Sequence, residues 1–141
     1  SKINEMILRN WIKIKGGLIF DGKIKVSDYW KVVAVVNMYV EGCREGKSDI
    51  MKPAFHKDAT MYGYLNGELS VGSIENLYGA VDQFGADSNT KARVDVLSIE
   101  GTAATVRVTL EDWHGIVFTD FHSLLKIDGE WKIIAKVFHQ Y

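Results

Sequence analysis

Cysteine, proline and long apolar runs are what this chain of 141 residues has least of. A lone Cys43 excludes an intramolecular disulfide and any multi-cysteine metal site. A single proline, Pro53, leaves nearly the whole length open to helices and strands. No apolar stretch approaches the ~18 residues of a membrane-spanning helix, so no membrane partner is expected. An excess of either charge is also lacking: 17 Lys and Arg face 18 Asp and Glu, for a net charge of −1. That balance argues against a dedicated nucleic-acid binder, which carries a strongly basic domain or stripe. There is no Gly-rich phosphate loop, nucleophile elbow or zinc motif, so neither a metal nor a cofactor is expected. A cytoplasmic location is expected, with a removed targeting segment upstream of Ser1 left open.

What is present is the composition of an ordinary globular domain, 47% hydrophobic and 25% charged. The charge is uneven: residues 1–25 carry +4 and residues 26–141 carry −5. The first 25 residues read as an N-terminal extension, apolar but poorly periodic, with a possible small hairpin on Asp21-Gly22. A helix is expected from an N-cap at Ser27, with Asp28 favourable in its first turn, to about Arg44 or Glu45. Tyr29, Val32, Val33, Val35, Val36, Tyr39, Val40 and Cys43 share one arc of it. Trp30, Ala34 and Met38 make an apolar ridge on the polar side, a mark of a subunit contact. A short helix follows from Ser48, limited by Pro53 and ending near His56. A third runs from Ser73 and stops at Gly85.

The strands are announced by their turns. Asn66-Gly67 suits a two-residue hairpin that pairs Tyr64 with Leu69 and puts Tyr62 and Tyr64 on one face. Residues 91–100 and 103–113 are joined at Gly101-Thr102, and a change of apolar phase suggests a bulge near Val96-Leu97. Val106, Val108 and Leu110 face inward. The last hairpin turns on Asp128-Gly129, and an unbroken ladder from that turn pairs Asp120 with Val137 and Phe118 with His139. One face then carries Phe118, Asp120, His122, Leu124, Trp131, Ile133, Ala135, Val137 and His139, leaving Lys136 and Phe138 on the other. A three-residue loop at Trp113-His114-Gly115 would place Leu110 opposite Phe118 and Val108 opposite Asp120.

This register assembles a candidate site. Asp120, His122 and His139 would share an apolar inner face, and a buried carboxylate needs a partner. Asp120 and His122 are the candidate acid–base pair, with Tyr62, Tyr64, His139, Phe118 and Leu110 as candidate ligand-binding residues. The same Asp–His pair also fits a structural hydrogen-bond network, and both readings stay open. His56 is expected at a helix end or rim, His114 in solvent, and Cys43 as an inert core thiol.

The helix through Gly42 to Lys47, the phrase Phe55-His56-Lys57-Asp58-Ala59 and the ending Phe118-Thr119-Asp120 through Asp128-Gly129-Glu130-Trp131 to His139 carry a resemblance. Residues 26–141 resemble the nuclear transport factor 2-like superfamily, which includes SnoaL-like and ketosteroid-isomerase-like proteins, and within it the lumazine-binding family. The resemblance implies an α+β domain: a curved antiparallel sheet wrapped around three helices, cone-shaped, a cystatin-like roll. It also implies a homodimer with an apolar, cone-shaped pocket for a small apolar or aromatic ligand. Three functions follow as expectations: a small-molecule-binding protein without chemistry; a cofactor-free isomerase, dehydratase or cyclase using Asp120 and His122; or a dimeric interaction module.

Overall fold

The computed structural model describes residues 11–14, 17–20 and 22–141, with side chains from Val26 onward. Strands β1 (Trp11–Ile14) and β2 (Gly17–Phe20) pair antiparallel, with Ile14 opposite Gly17. Asp21 lies outside the described residues, and the segment after it is not a hairpin strand. Gly22–Val26 are the first turns of helix α1 (Gly22–Glu45). Extending an existing helix needs no new nucleus, so it propagates past the expected cap at Ser27.

Val32, Val36, Tyr39, Val40 and Cys43 are the buried stripe of α1, at the spacing of one helical face. Tyr29 is exposed, and its ring meets Trp30 edge-on at 5.1 Å between centroids. Asp28 is not a solvent-facing charge on the first turn. It is buried, and its carboxylate accepts hydrogen bonds from Trp131 Nε1 and Lys126 Nζ, both at 3.0 Å. Near the other end, Trp113 Nε1 donates to the Cys43 carbonyl at 3.1 Å. Two indoles thus pin the helix across the sheet.

Helix α2 (Ser48–Met51) runs into a 3-10 turn, Lys52–Ala54, where Pro53 needs no amide partner. Asp82, on helix α3 (Glu75–Phe84), accepts from both the amide and the hydroxyl of Ser48 at 2.8 and 2.7 Å, joining the two helices. Gly85, at φ 78°, ends α3 as expected.

Six strands form the main sheet: β3 (Phe55–Leu65), β4 (Glu68–Ser70), β5 (Lys91–Glu100), β6 (Ala103–Trp113), β7 (Ile116–Ile127) and β8 (Glu130–Gln140). Their order is β4-β3-β8-β7-β6-β5. All neighbours are antiparallel except β3 and β8, which run parallel and are separated in the chain by β4, α3 and the meander β5–β7. The α+β architecture, a curved and unclosed sheet with three helices among the described residues, is the one the resemblance implied.

Turn chemistry sets most of the registers. Asn66-Gly67, His114-Gly115 and Asp128-Gly129 all have positive φ at both positions, the backbone a two-residue hairpin turn requires. At the β6–β7 corner the turn is therefore His114-Gly115, not a three-residue loop. Trp113 opposes Ile116, and one extra β6 residue between Leu110 and Trp113 restores the pairing of Leu110 with Phe118 and Val108 with Asp120. The bulge in β5 falls at Leu97, between Val96 and Ser98, as the change of apolar phase indicated.

A second irregularity overturns part of the expected face. Leu124 opposes Ile133, but Ser123 opposes Ala135, so Ile134 is an extra residue in β8. Every residue beyond it changes face, because side chains alternate with a period of two. Lys136 and Phe138 turn inward and are buried, while Val137 and His139 turn outward and are exposed. Asp120 therefore pairs with Phe138, not Val137, and Phe118 with Gln140, not His139.

Candidate functional site

Helix α1 lays Tyr39 over the inner sheet face, and the side chains there that carry chemistry come from neighbouring strands. β7 contributes Asp120 and His122, both with no exposure to solvent, and β8 contributes Lys136 at 5%. The Tyr39 hydroxyl donates to Asp120 Oδ2 at 2.5 Å. His122 Nε2 lies 3.5 Å from the same oxygen. Lys136 Nζ is 3.8 Å from the other oxygen, Oδ1, which has no hydrogen-bond partner. One carboxylate thus faces a phenol, an imidazole and an ammonium.

Burial alone would raise the carboxyl of Asp120. The Lys136 charge, with His122 and the Tyr39 hydroxyl, outweighs it and holds Asp120 below the usual carboxylate range. Burial is the main cause for His122 as well. Lys136 adds to it and Asp120 opposes it, and the net shift is downward, so the ring is neutral at neutral pH. With Nε2 turned to the carboxylate, a proton on Nε2 is the tautomer that suits this contact. Nδ1 then keeps its lone pair, and it has no partner. Burial, then the neighbouring Asp120, pushes the Tyr39 phenol well up, so it stays a donor. Cys43 is pushed up to about 12, chiefly by burial, and is a thiol rather than a thiolate.

A cavity of about 110 Å³ opens between α1, α3 and the inner sheet face. Tyr39, Cys43, Leu110, Phe118, Lys136 and Phe138 line it, and Leu65, Asn66 and Phe84 stand among its walls. Leu110 and Phe118 thus lie where a ligand-binding role was expected. Asp120 and His122 do not reach the cavity wall; they stand behind Tyr39 and Lys136, which do. Tyr62, Tyr64 and His139 are exposed on the outer sheet face. The two tyrosines do share a face with Leu69, as the hairpin required, but it is the solvent face. Gly63, between them, lies against Phe138, whose ring carbons approach within 2.6 Å of where a β-carbon would stand.

His56 and His114 also find definite places. The His56 ring accepts from the Asp58 amide at 3.1 Å. His114 is not simply solvated: its Nε2 lies 3.0 Å from the Gly85 carbonyl, and its ring packs on Phe84 and Trp113. Among the described residues no group of His, Cys, Asp and Glu could hold a metal ion.

Sequence reasoning missed Lys136 and Tyr39 as members of this cluster. Tyr39 was legible only as a core position on the helix. The one signal for Lys136 was the adjacent pair Ile133-Ile134, a break of alternation like the one that revealed the β5 bulge.

Residues 27–139 match the family described as "Putative lumazine-binding", and the chain belongs to that family. It is 40% identical over 119 residues to Aldolase FrzH of a Cladobotryum species, covering 84% of this chain and 95% of that protein. Two crystal structures of nuclear transport factor 2-like proteins of unknown function share the fold. The one from Methylobacillus flagellatus is 38% identical, with a TM-score of 0.79 over 82% of this chain and 94% of its own. That from Shewanella baltica is 35% identical, with a TM-score of 0.78 over 82% and 95%. The chain is thus a member of the nuclear transport factor 2-like superfamily. Among the described residues no helix is long and apolar enough to cross a membrane.

Proposed function

We propose that this protein is an enzyme acting on a small carbonyl compound with its own side chains, removing or delivering a proton at the carbon next to the carbonyl. The observation that carries this reading is that a single buried carboxylate, Asp120, stands against two polar groups of the cavity wall, the Tyr39 hydroxyl and the Lys136 ammonium. A phenol and an ammonium beside a carbonyl oxygen stabilise the charge that develops there as an α-proton leaves. An ionised carboxylate behind them takes up and returns protons. The 40% identity to an aldolase supports the same chemistry, since aldol bonds are made and broken through such an enol-type intermediate.

Size supports a small substrate. An apolar cavity of about 150 Å³ holds one benzene, so 110 Å³ takes a head group of about four heavy atoms. The fused two-ring system of a lumazine is larger than that. It would have to remain outside, or displace the wall formed by Leu65, Asn66 and Phe84.

Deuterium exchange into the α-carbon of acetone or propanal, followed by proton NMR, tests this reading. Exchange should exceed the buffer rate and fall about 100-fold in Asp120→Asn. Tyr39→Phe, with far-ultraviolet circular dichroism on both variants, separates lost chemistry from lost folding. A wild type that exchanges no faster than buffer would refute the assignment.

We also propose that the chain self-associates through the outer sheet face. Tyr62, Val137 and Phe121 lie side by side across three strands there, all exposed, and continue into Arg107 and Asp95. An apolar row ending in opposite charges suits a second copy of itself. Val137→Lys should reduce the mass seen by sedimentation. A loss on Trp30→Glu instead would move the contact to the α1 ridge.

A further inference from the structure

Lys136 is an unusual lysine in this fold. It is buried, yet no carboxylate lies within hydrogen-bond distance of it among the described residues. Its nearest acceptor is the thioether of Met61, at 3.6 Å, a weak one. Asp120 Oδ1 stands 3.8 Å away, itself without a partner. The Phe138 ring lies 4.5 Å from Nζ and the Tyr39 ring 5.7 Å. An ammonium has three protons to donate, and a purely structural one would be expected to close on the open carboxylate oxygen. Instead the amine sits on the cavity wall, brought there by the extra residue Ile134, with a proton acceptor just out of bonding reach.

We propose that Lys136 is the covalent centre of this site, forming a Schiff base with the carbonyl carbon of its substrate. The inference rests on the carbonyl-enzyme reading above and names the group that holds the substrate. The step balances with the residues present. Lys136 passes one proton to Asp120 Oδ1, leaving a neutral amine and a carboxylic acid. The nitrogen lone pair attacks the carbonyl carbon; a C–N bond forms and the C–O π bond opens. The oxygen takes a proton from the nitrogen, with the Tyr39 hydroxyl placed to relay it, giving a neutral carbinolamine. The C–O bond then breaks, and the hydroxyl leaves as water with the proton held by Asp120. The product is a protonated imine beside an Asp120 carboxylate, and nothing is oxidised or reduced. The acidified α-proton can next pass through the Tyr39 hydroxyl, which is on the wall and bonded to that carboxylate, to give an enamine, the carbon nucleophile of an aldol reaction.

The surroundings fit this role better than a merely electrostatic one. Cys43 shares the cavity but stays a thiol, so no thiolate competes for the carbonyl carbon there. Phe118, Phe138 and Leu110 keep the wall apolar, which disfavours hydrolysis of an imine by bulk water. The substrate class implied is a short aldehyde or ketone whose head enters the cavity.

Reductive trapping tests this on the intact protein. Wild type is incubated with acetone or propanal and sodium cyanoborohydride, and the labelled lysine is located by peptide mass spectrometry. The expected result is one alkyl group per chain, on Lys136, formed before the exposed lysines react. Lys136→Arg keeps the positive charge, should lose the label, and should lose α-proton exchange by about 100-fold or more. Labels spread over exposed lysines in wild type, or no label on Lys136, would overturn the covalent role. The exchange measurement separates the two readings. Exchange in wild type without a Lys136 label leaves acid–base chemistry standing and removes the Schiff base, and the absence of both removes each of them.

Discussion

Lys136→Met keeps the length of the side chain but removes the charge that does most to keep Asp120 ionised in the core. Removing one partner of a buried pair costs about 3–5 kcal/mol, because the other charge stays behind uncompensated. With a urea dependence of about 2 kcal/mol per molar, the unfolding midpoint at neutral pH should fall by about 2 M. The pH profile is the sharper test. In the wild type Asp120 lies below its ordinary 3.8, so the stability it contributes is complete above that value and is lost as pH falls below it. In the variant burial dominates, and a proton enters the Asp120–His122 pair. Whichever residue takes it, the folded value then lies above the unfolded one. Stability from that proton is present at low pH and lost as pH rises. Each unit of displacement is worth about 1.4 kcal/mol. The deficit relative to wild type should therefore be at least about 2 kcal/mol smaller at about pH 5 than at about pH 8. Urea titrations followed by tryptophan fluorescence at the two values measure it. A deficit that is equal at both, or under about 1 kcal/mol at the higher one, would refute the Lys136–Asp120 interaction described here.

Three further outcomes follow from the packing. Asp28→Asn should cost about 1.5–3 kcal/mol through the charged hydrogen bond lost to Lys126. Asp28 is held below its ordinary range by Trp131 and Lys126 against its burial, so the difference from wild type should shrink as pH falls below 3.8. Cys43 should resist iodoacetamide in the folded protein even at mildly alkaline pH, since its thiol is pushed up to about 12, and should react only as the chain unfolds. Rapid labelling of native protein would contradict this. Gly63→Ala should destabilise by about 1–3 kcal/mol, since its β-carbon would stand 2.5 Å from the Phe138 carbonyl oxygen. An unchanged melting temperature would show that β3 and β8 can separate there.

The hairpins were legible because their turns are chemical. Asn66-Gly67 and Asp128-Gly129 require left-handed backbone, and the strands on either side must then pair residue for residue. The buried stripe of α1 was legible because a 3.6-residue period survives in the sequence whatever it packs against. The β6–β7 register was legible for a less secure reason, since a two-residue turn and a bulge together shift the ladder as far as one three-residue loop would.

The amino-acid order by itself thus determined most of the elements, the turns at Asn66-Gly67 and Asp128-Gly129, and an inward Asp120 and His122. Only the tertiary structure decided what surrounds that carboxylate. Ile134 is an extra residue in the β7–β8 ladder, and that one residue exchanges Val137 and His139 for Lys136 and Phe138 on the inner face. Alternation is a local rule, and a bulge resets its phase with little mark in composition. Tyr39 meets Asp120 across 81 residues of chain, a contact set by how the helix lies on the sheet. The site therefore depends on a defect in one strand and the lie of one helix, neither of which a residue's immediate neighbours specify.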